Sequence, residues 1–412
     1  MSAPGTFVIV GAGLAGAKAA ETLRAERFPG RVVLIGAEPE RPYERPPLSK
    51  GLLLGTAAPD SAYVHEPDWY ARHDVELRTG TTAHAIDRAR RLVRLRDGED
   101  IAYDRLLLAT GAAPRTLPVP GADLGGVHHL RTLADSARIA DAVHDGTRLV
   151  IIGAGWIGLE VAAAARTRGA LVTVVETATL PLHRLLGDRL AGFFADLHTA
   201  HGVVFRFGTG VREIRGTSTV SDVLLDDDTV LAADAVLVAV GVAPCTGLAT
   251  AADLPVDNGI LVDHRLRTAD PHIFAAGDVA NVDHPLLGAR VRVEHWATAL
   301  HTGPAAARAM LDHPVSYDRL PYFFTDQHDL GMEYAGWLPP GTDTELVVRG
   351  SIEDGEFIAF WTHKGRVLAG MNVNVWDVTD QIQALIHAGL TTGATVSAAR
   401  LADPRIPLPD LL

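Results

Sequence analysis

Short, uninterrupted apolar runs recur through the first three hundred residues, separated by Ala- and Leu-rich stretches of helical period. The runs are Phe7–Val10, Val32–Ile35, Leu106–Ala109, Leu149–Ile152, Val172–Val175, Ala235–Val240 and Ile273–Ala276. Runs of this length without alternation suit strands buried on both faces, as in a parallel sheet. Helical stretches around Ala15–Glu26 and Leu159–Arg168 supply the crossovers. In Arg41–Lys50 the residues Pro42, Pro46 and Pro47 predict an extended or turning path without helix. From about Leu320 the texture changes. Tyr322, Phe323, Phe324, Trp337, Phe357, Phe360, Trp361 and Trp376 gather aromatics there, and the patterns of Thr344–Val348 and Phe357–Trp361 predict antiparallel strands of a separate α+β unit.

Two of the apolar runs lead into the same glycine spacing. Gly11-Ala12-Gly13-Leu14-Ala15-Gly16 follows the first, and Gly153-Ala154-Gly155-Trp156-Ile157-Gly158 follows the run at Leu149–Ile152. In such a strand–turn–helix fingerprint the first glycine makes the tight turn and the second lets backbone approach a pyrophosphate. The third lets helix and strand pack closely. The phosphates then face the unpaired N–H groups of a helix start. Glu38 and Glu176, about twenty positions further on, are placed to accept hydrogen bonds from ribose hydroxyls. A carboxylate at Glu176 repels a 2′-phosphate and so favours NADH over NADPH, a preference that Arg184 nearby tempers. Two dinucleotide sites in one chain imply electron traffic between them.

Composition narrows the partners. At 412 residues and 43.8 kDa the chain has room for two or three domains, and a net charge of −13 speaks against nucleic acid or an anionic membrane. The single cysteine, Cys245, excludes a disulfide framework and a Cys-x-x-Cys pair, and the 18 histidines show no metal-ligand spacing. Met1–Gly5 runs straight into the first strand, which leaves no room for a signal peptide and makes the cytoplasm the expected compartment. Lysine occurs only at Lys18, Lys50 and Lys364, which draws attention to Lys50.

Gly277-Asp278 after the Ile273 run, taken with Ala109-Thr110-Gly111, resembles the flavoproteins that bind two dinucleotides. Arg45-Pro-Pro-Leu-Ser-Lys50, Gly158-Leu-Glu160, Glu294-His-Trp296-Ala-Thr-Ala and Tyr322-Phe-Phe-Thr-Asp-Gln327 sharpen the likeness. On these motifs, which run in order along the whole chain, it is identified as a member of the FAD-dependent NADH:ferredoxin reductase family, the putidaredoxin reductase and biphenyl dioxygenase ferredoxin reductase type. The resemblance implies an α/β fold of two Rossmann-like, glutathione-reductase-type dinucleotide domains followed by a C-terminal α+β domain. The expected boundaries are 1–115 with 244–318 for FAD, 116–243 for NADH, and 319–412 for the last domain.

The same resemblance assigns residues. Gly11, Gly13, Ala15, Gly16 and Glu38 would hold the adenosine and pyrophosphate of FAD. Arg45, Ala109, Thr110, Gly111, Arg131 and Asp278 would line its pyrophosphate, ribityl or flavin portion. Trp296 would sit at the pyrimidine end of the ring and Pro47 near it. NADH would use Gly153, Gly155, Trp156, Ile157, Gly158, Glu176, Arg184 and Gly241, with Trp156 either shielding the two rings from water or packing in the core. Lys50 and Glu160 would pair beside flavin N5, where hydride arrives, and are the expected catalytic residues.

The expected activity is hydride transfer from NADH to flavin, then single-electron transfer to an iron–sulfur ferredoxin serving an oxygenase such as a haem monooxygenase. Without a cysteine pair, electrons must leave the flavin directly. Rubredoxin, a quinone or monodehydroascorbate are alternative acceptors, and a signalling flavoprotein like apoptosis-inducing factor is the alternative outside catalysis. An acidic ferredoxin needs a local basic patch, for which Arg308 and Arg292 are the candidates. A monomer or weak dimer is expected.

Overall fold

The computed structural model describes residues 5–412, so the expectation drawn from the first four residues lies outside the described ones. Two five-stranded parallel sheets and one five-stranded antiparallel sheet form the frame. The first sheet runs Ile273–Ala275, Arg105–Leu108, Thr6–Val10, Arg31–Ile35, Val75–Arg78, and so takes one edge strand from far along the chain. The second runs Val204–Phe207, Leu171–Glu176, Arg148–Ile152, Ala235–Val238, Val127–His128.

The two parallel sheets repeat one another down to single hydrogen bonds. Val10 pairs with Ile35 on one side and Leu108 on the other; Ile152 pairs with Val175 and Val238. Gly11 N–H then donates to Ile35 O and Gly153 N–H to Val175 O, each at 2.8 Å. Helices Leu14–Ala25 and Trp156–Thr167 follow directly. Both central strands are almost fully buried, as unbroken Val/Ile runs require.

Where the chain crosses between the two sheets it does so twice, at Ala112–Pro114 and Val242–Pro244. These segments pair antiparallel with each other. The C-terminal sheet is ordered Tyr322–Gln327, Leu330–Gly336, Arg366–Val373, Glu356–His363, Glu345–Ser351, with helix Thr379–Thr391 packed against it. The alternating segments are therefore strands, as their pattern predicts.

The sequence expectation differs from the structure in two places. The prolines of Arg41–Lys50 do not exclude helix: Pro46–Ser49 is a 3₁₀ turn with proline in its first positions, where a missing N–H has no intrahelical partner to lose. The strand expected over Ala235–Val240 ends at Val238, because the chain turns through Gly241 at a φ of 91°.

Candidate active site

Both fingerprints open onto one cavity of about 1060 Å³, just above the ~300–1,000 Å³ common for ligand sites. The glycine roles can be read from what a methyl group would meet. A Cβ on Gly11 would lie 2.0 Å from Ala109 O, and one on Gly16 2.0 Å from Gly11 O. On Gly153 and Gly158 it would lie 2.5 Å from Ala239 O and 2.2 Å from Gly153 O. Gly13 and Gly155 face open space instead, each immediately before the first turn of its helix. Neither helix start carries a side-chain cap, so its first N–H groups are free for an anion.

At the first fingerprint the cavity wall carries Ala15, Glu38, Arg45, Ala109, Thr110, Gly111, Arg131, Asp278 and Trp296. Arg45 donates to Glu38 Oε1 at 2.9 Å and to the Tyr43 hydroxyl at 3.0 Å, and Tyr43 in turn donates to Glu38 Oε2. Arg131 Nη2 reaches Asp278 Oδ2 at 3.1 Å. Two buried donors here, Arg131 Nε and Trp296 Nε1, have no protein partner. Buried donors without a protein acceptor, beside an uncapped helix start and an open glycine, suit a polar, anionic ligand. These residues fit a bound FAD.

Trp156, Ile157 and Gly241 line the cavity beside the second fingerprint. Trp156 faces both ways: it borders the cavity and also packs edge-on against Phe194 at 5.6 Å and tilted on Phe323 at 5.1 Å. Glu176 stays behind the turn, where its two oxygens accept Ala154 N–H at 2.8 Å and Ala178 N–H at 2.9 Å. Cys245 also borders the cavity, and burial pushes its thiol above the ordinary range, the opposite of an activated thiolate.

Where the two halves meet, Lys50 Nζ donates to Glu160 Oε1 at 2.7 Å, with side chains only 18% and 9% exposed. Ser49 Oγ donates to the other oxygen, and Thr325 Oγ1 donates to Oε1 at 2.6 Å. One carboxylate thus joins the proline turn, the second fingerprint helix and the C-terminal sheet. Asp326, adjacent, is pushed above the usual carboxylate range by burial and by the Glu160 charge, while Lys50 pulls it down. His295 opens helix Trp296–Met310, stacks on Phe323 at 4.4 Å, and is lowered to about 4 by burial.

Besides Glu176, four expected side chains fall away from the cavity wall. Pro46 faces the cavity and Pro47 does not, because the 3₁₀ turn rotates successive side chains by about a third of a turn. Arg184 is exposed on helix His183–Ala200 and is not part of the cavity wall. Arg292 is no surface cation: its side chain is 8% exposed and bonds Glu294 at 2.5 Å, Asn258 Oδ1 at 2.9 Å and Asp278 O at 3.2 Å. Arg308 is 51% exposed but paired with Glu26 at 2.8 Å, near the far end of the helix that begins at Trp296. Sequence reasoning gave no role to Ser49, Thr325 or His295, although all three lie inside motifs it had picked out.

Two fingerprint-bearing sheets around one cavity, bridged by a buried Lys–Glu pair, define a two-nucleotide oxidoreductase. The chain belongs to the pyridine nucleotide-disulphide oxidoreductase family, whose model matches residues 5–303; a reductase C-terminal model matches 322–412. It is 41% identical over 408 residues to the anthranilate 1,2-dioxygenase system ferredoxin–NAD(+) reductase component of Burkholderia cepacia, covering 98% of this chain and 99% of that one. It is 41% identical over 370 residues to rhodocoxin reductase of Rhodococcus erythropolis, covering 90% and 86%. Among solved structures, the covalent putidaredoxin reductase–putidaredoxin complex superposes with a TM-score of 0.94 at 37% identity, covering 100% of this chain and 98% of that one.

Proposed function

We propose that the chain is an NADH-dependent ferredoxin reductase holding FAD in the first nucleotide site and admitting NADH to the second. The observation that carries this reading is the Lys50–Glu160 contact, made where the two sites share one cavity. Bound FAD would supply hydride acceptance and one-electron release. Gly13 and the open helix start after it would bind its pyrophosphate, and Arg45 and Arg131 would add positive charge. Trp296 Nε1 and Arg131 Nε would find their missing acceptors on it. Gly155 and its helix start would take the pyrophosphate of NADH, and Trp156 would screen the meeting point from water. Orientation of the two rings would supply most of the rate enhancement.

The lone, unactivated Cys245 supports electron exit without a disulfide relay. The relatives named for dioxygenase systems and the solved complex with putidaredoxin support an iron–sulfur protein as acceptor. Stopped-flow reduction of the flavin by NADH, followed by cytochrome c reduction with and without a [2Fe–2S] ferredoxin, tests the reading. Fast reduction and ferredoxin-dependent turnover are expected; turnover indifferent to every ferredoxin tried rejects it. Of the two candidate docking arginines only Arg308 remains. Arg308→Glu is expected to raise the KM for ferredoxin and leave ferricyanide turnover unchanged.

A further inference from the structure

Behind the cavity wall, Glu160 ends a line of buried polar groups that the proposed chemistry does not use. Its direction follows from the carboxylate. An ionised Glu160 only accepts, so the one hydroxyl hydrogen of Thr325 goes to it, at 2.6 Å. Thr325 Oγ1 is then left to accept, and takes Gln327 Nε2–H at 3.1 Å. That orientation of the amide turns Gln327 Oε1 to His198 Nε2 at 2.8 Å, which places the histidine proton on Nε2. His328 Nε2 lies 3.4 Å from the remaining nitrogen of His198. His198, Gln327 and Thr325 are each at most 1% exposed. Burial holds His198 neutral, at about 4, so the line keeps its direction through neutral pH.

Packing alone would be served by apolar side chains here, because every buried polar group must first recover its lost hydration. The line also crosses between parts of the fold: His198 lies on helix His183–Ala200, Gln327 and Thr325 on strand Tyr322–Gln327, and Glu160 on helix Trp156–Thr167. We propose that Gln327 and His198 are positioning residues, whose one-way row of donors acts through Thr325 to fix the Glu160 carboxylate toward Lys50. This rests on the proposed role of the Lys50–Glu160 pair in hydride transfer.

The scarcity of lysine makes the idea measurable. With three lysines in the chain, selective ¹³C labelling of lysine Cε gives a spectrum in which Lys50 is assigned by its loss in Lys50→Arg. In the full-length flavoprotein, Thr325→Val keeps volume and removes the hydroxyl, Gln327→Met cuts the line one link back, and Thr325→Ser restores the donor. Thr325→Val and Gln327→Met are each expected to move the Lys50 resonance and slow flavin reduction by NADH about tenfold, the size of one charge-assisted hydrogen bond. Gln327→Met should add nothing in the Thr325→Val background, and Thr325→Ser should return both readouts. Variants that lose thermal stability additively while the Lys50 resonance and reduction rate stay put would overturn the inference. If Lys50→Met leaves reduction unchanged, the role of the pair in hydride transfer falls, yet a Lys50 resonance that still moves in Gln327→Met upholds the line.

Discussion

Lys50 and Glu160, 110 positions apart in sequence, meet at 2.7 Å with little exposure to solvent. Their attraction is set against the cost of drying two charges, so the pair is weak support for net stability and strong support for a fixed arrangement. Removing one partner is a different matter. Glu160→Leu strands the ammonium and is expected to destabilise the protein by roughly 3–5 kcal/mol, whereas Lys50→Met with Glu160→Leu recovers most of that loss. Urea unfolding of the three proteins decides it; a double variant no more stable than Glu160→Leu counts against the pair as a coupled unit.

The two open glycines separate the two nucleotides. Gly13→Ala should fold, since its Cβ meets nothing within 4 Å, but purify with depleted flavin because the methyl group occupies phosphate space. Gly155→Ala should keep its flavin and raise the KM for NADH. Flavin content after gel filtration and steady-state kinetics with ferricyanide distinguish them. Equal flavin loss in both variants would refute the assignment of sites.

Glu176 holds the turn as well as any ribose, through Ala154 and Ala178 N–H. Glu176→Ala alone is therefore expected to lower kcat/KM for NADH about tenfold without making NADPH a good substrate. Adding Thr177→Arg, at the next and exposed position, should raise kcat/KM for NADPH about tenfold over the single variant by pairing with the 2′-phosphate. Arg184 would be the better explanation for any NADPH use if Thr177→Arg changes nothing.

Stability should fall on mild acidification. His198 and His295 titrate at about 4 in the folded chain and near 6.5 when unfolded, so between these values the unfolded chain binds more protons. Their contribution is complete above pH 6.5 and shrinks as pH falls toward 4, by up to about 1.4 kcal/mol per pH unit for each. Burial is the main cause for both; at His198 the Gln327 hydrogen bond opposes it and His201 reinforces it, and at His295 Asp278 opposes it. Urea midpoints measured from pH 7.5 to 5 should decline, with a shallower slope in His198→Gln. A flat profile is the contrary result.

What could be read from the chain depended on how local its signal was. The fingerprints were legible because backbone crowding dictates Gly11, Gly16, Gly153 and Gly158 whatever lies beyond. The parallel sheets were legible because two-sided burial writes itself as Val/Ile runs. The Lys50–Glu160 pair emerged through family resemblance, with burial of Glu160 on an apolar helix as its physical hint. Ser49, Thr325, Gln327 and His198 were not recognised, since hydroxyls, amides and a core histidine carry no spacing that foretells partners on distant strands. Pro46 and Pro47 differ only in turn phase, and Arg292 differs from a surface arginine only in what folds over it.

The antiparallel pairing of Ala112–Pro114 with Val242–Pro244 has a consequence for how such a molecule can change. Everything between these segments enters and leaves through neighbouring strands of a single ribbon, joined residue for residue from Ala112–Pro244 to Pro114–Val242. A foreign module with adjacent ends could be spliced there while the first sheet keeps its own strand order. A module exchanged there would be a cartridge that must bring its own counterparts of Arg131 and Glu160, since both lie between the two segments and face the shared cavity.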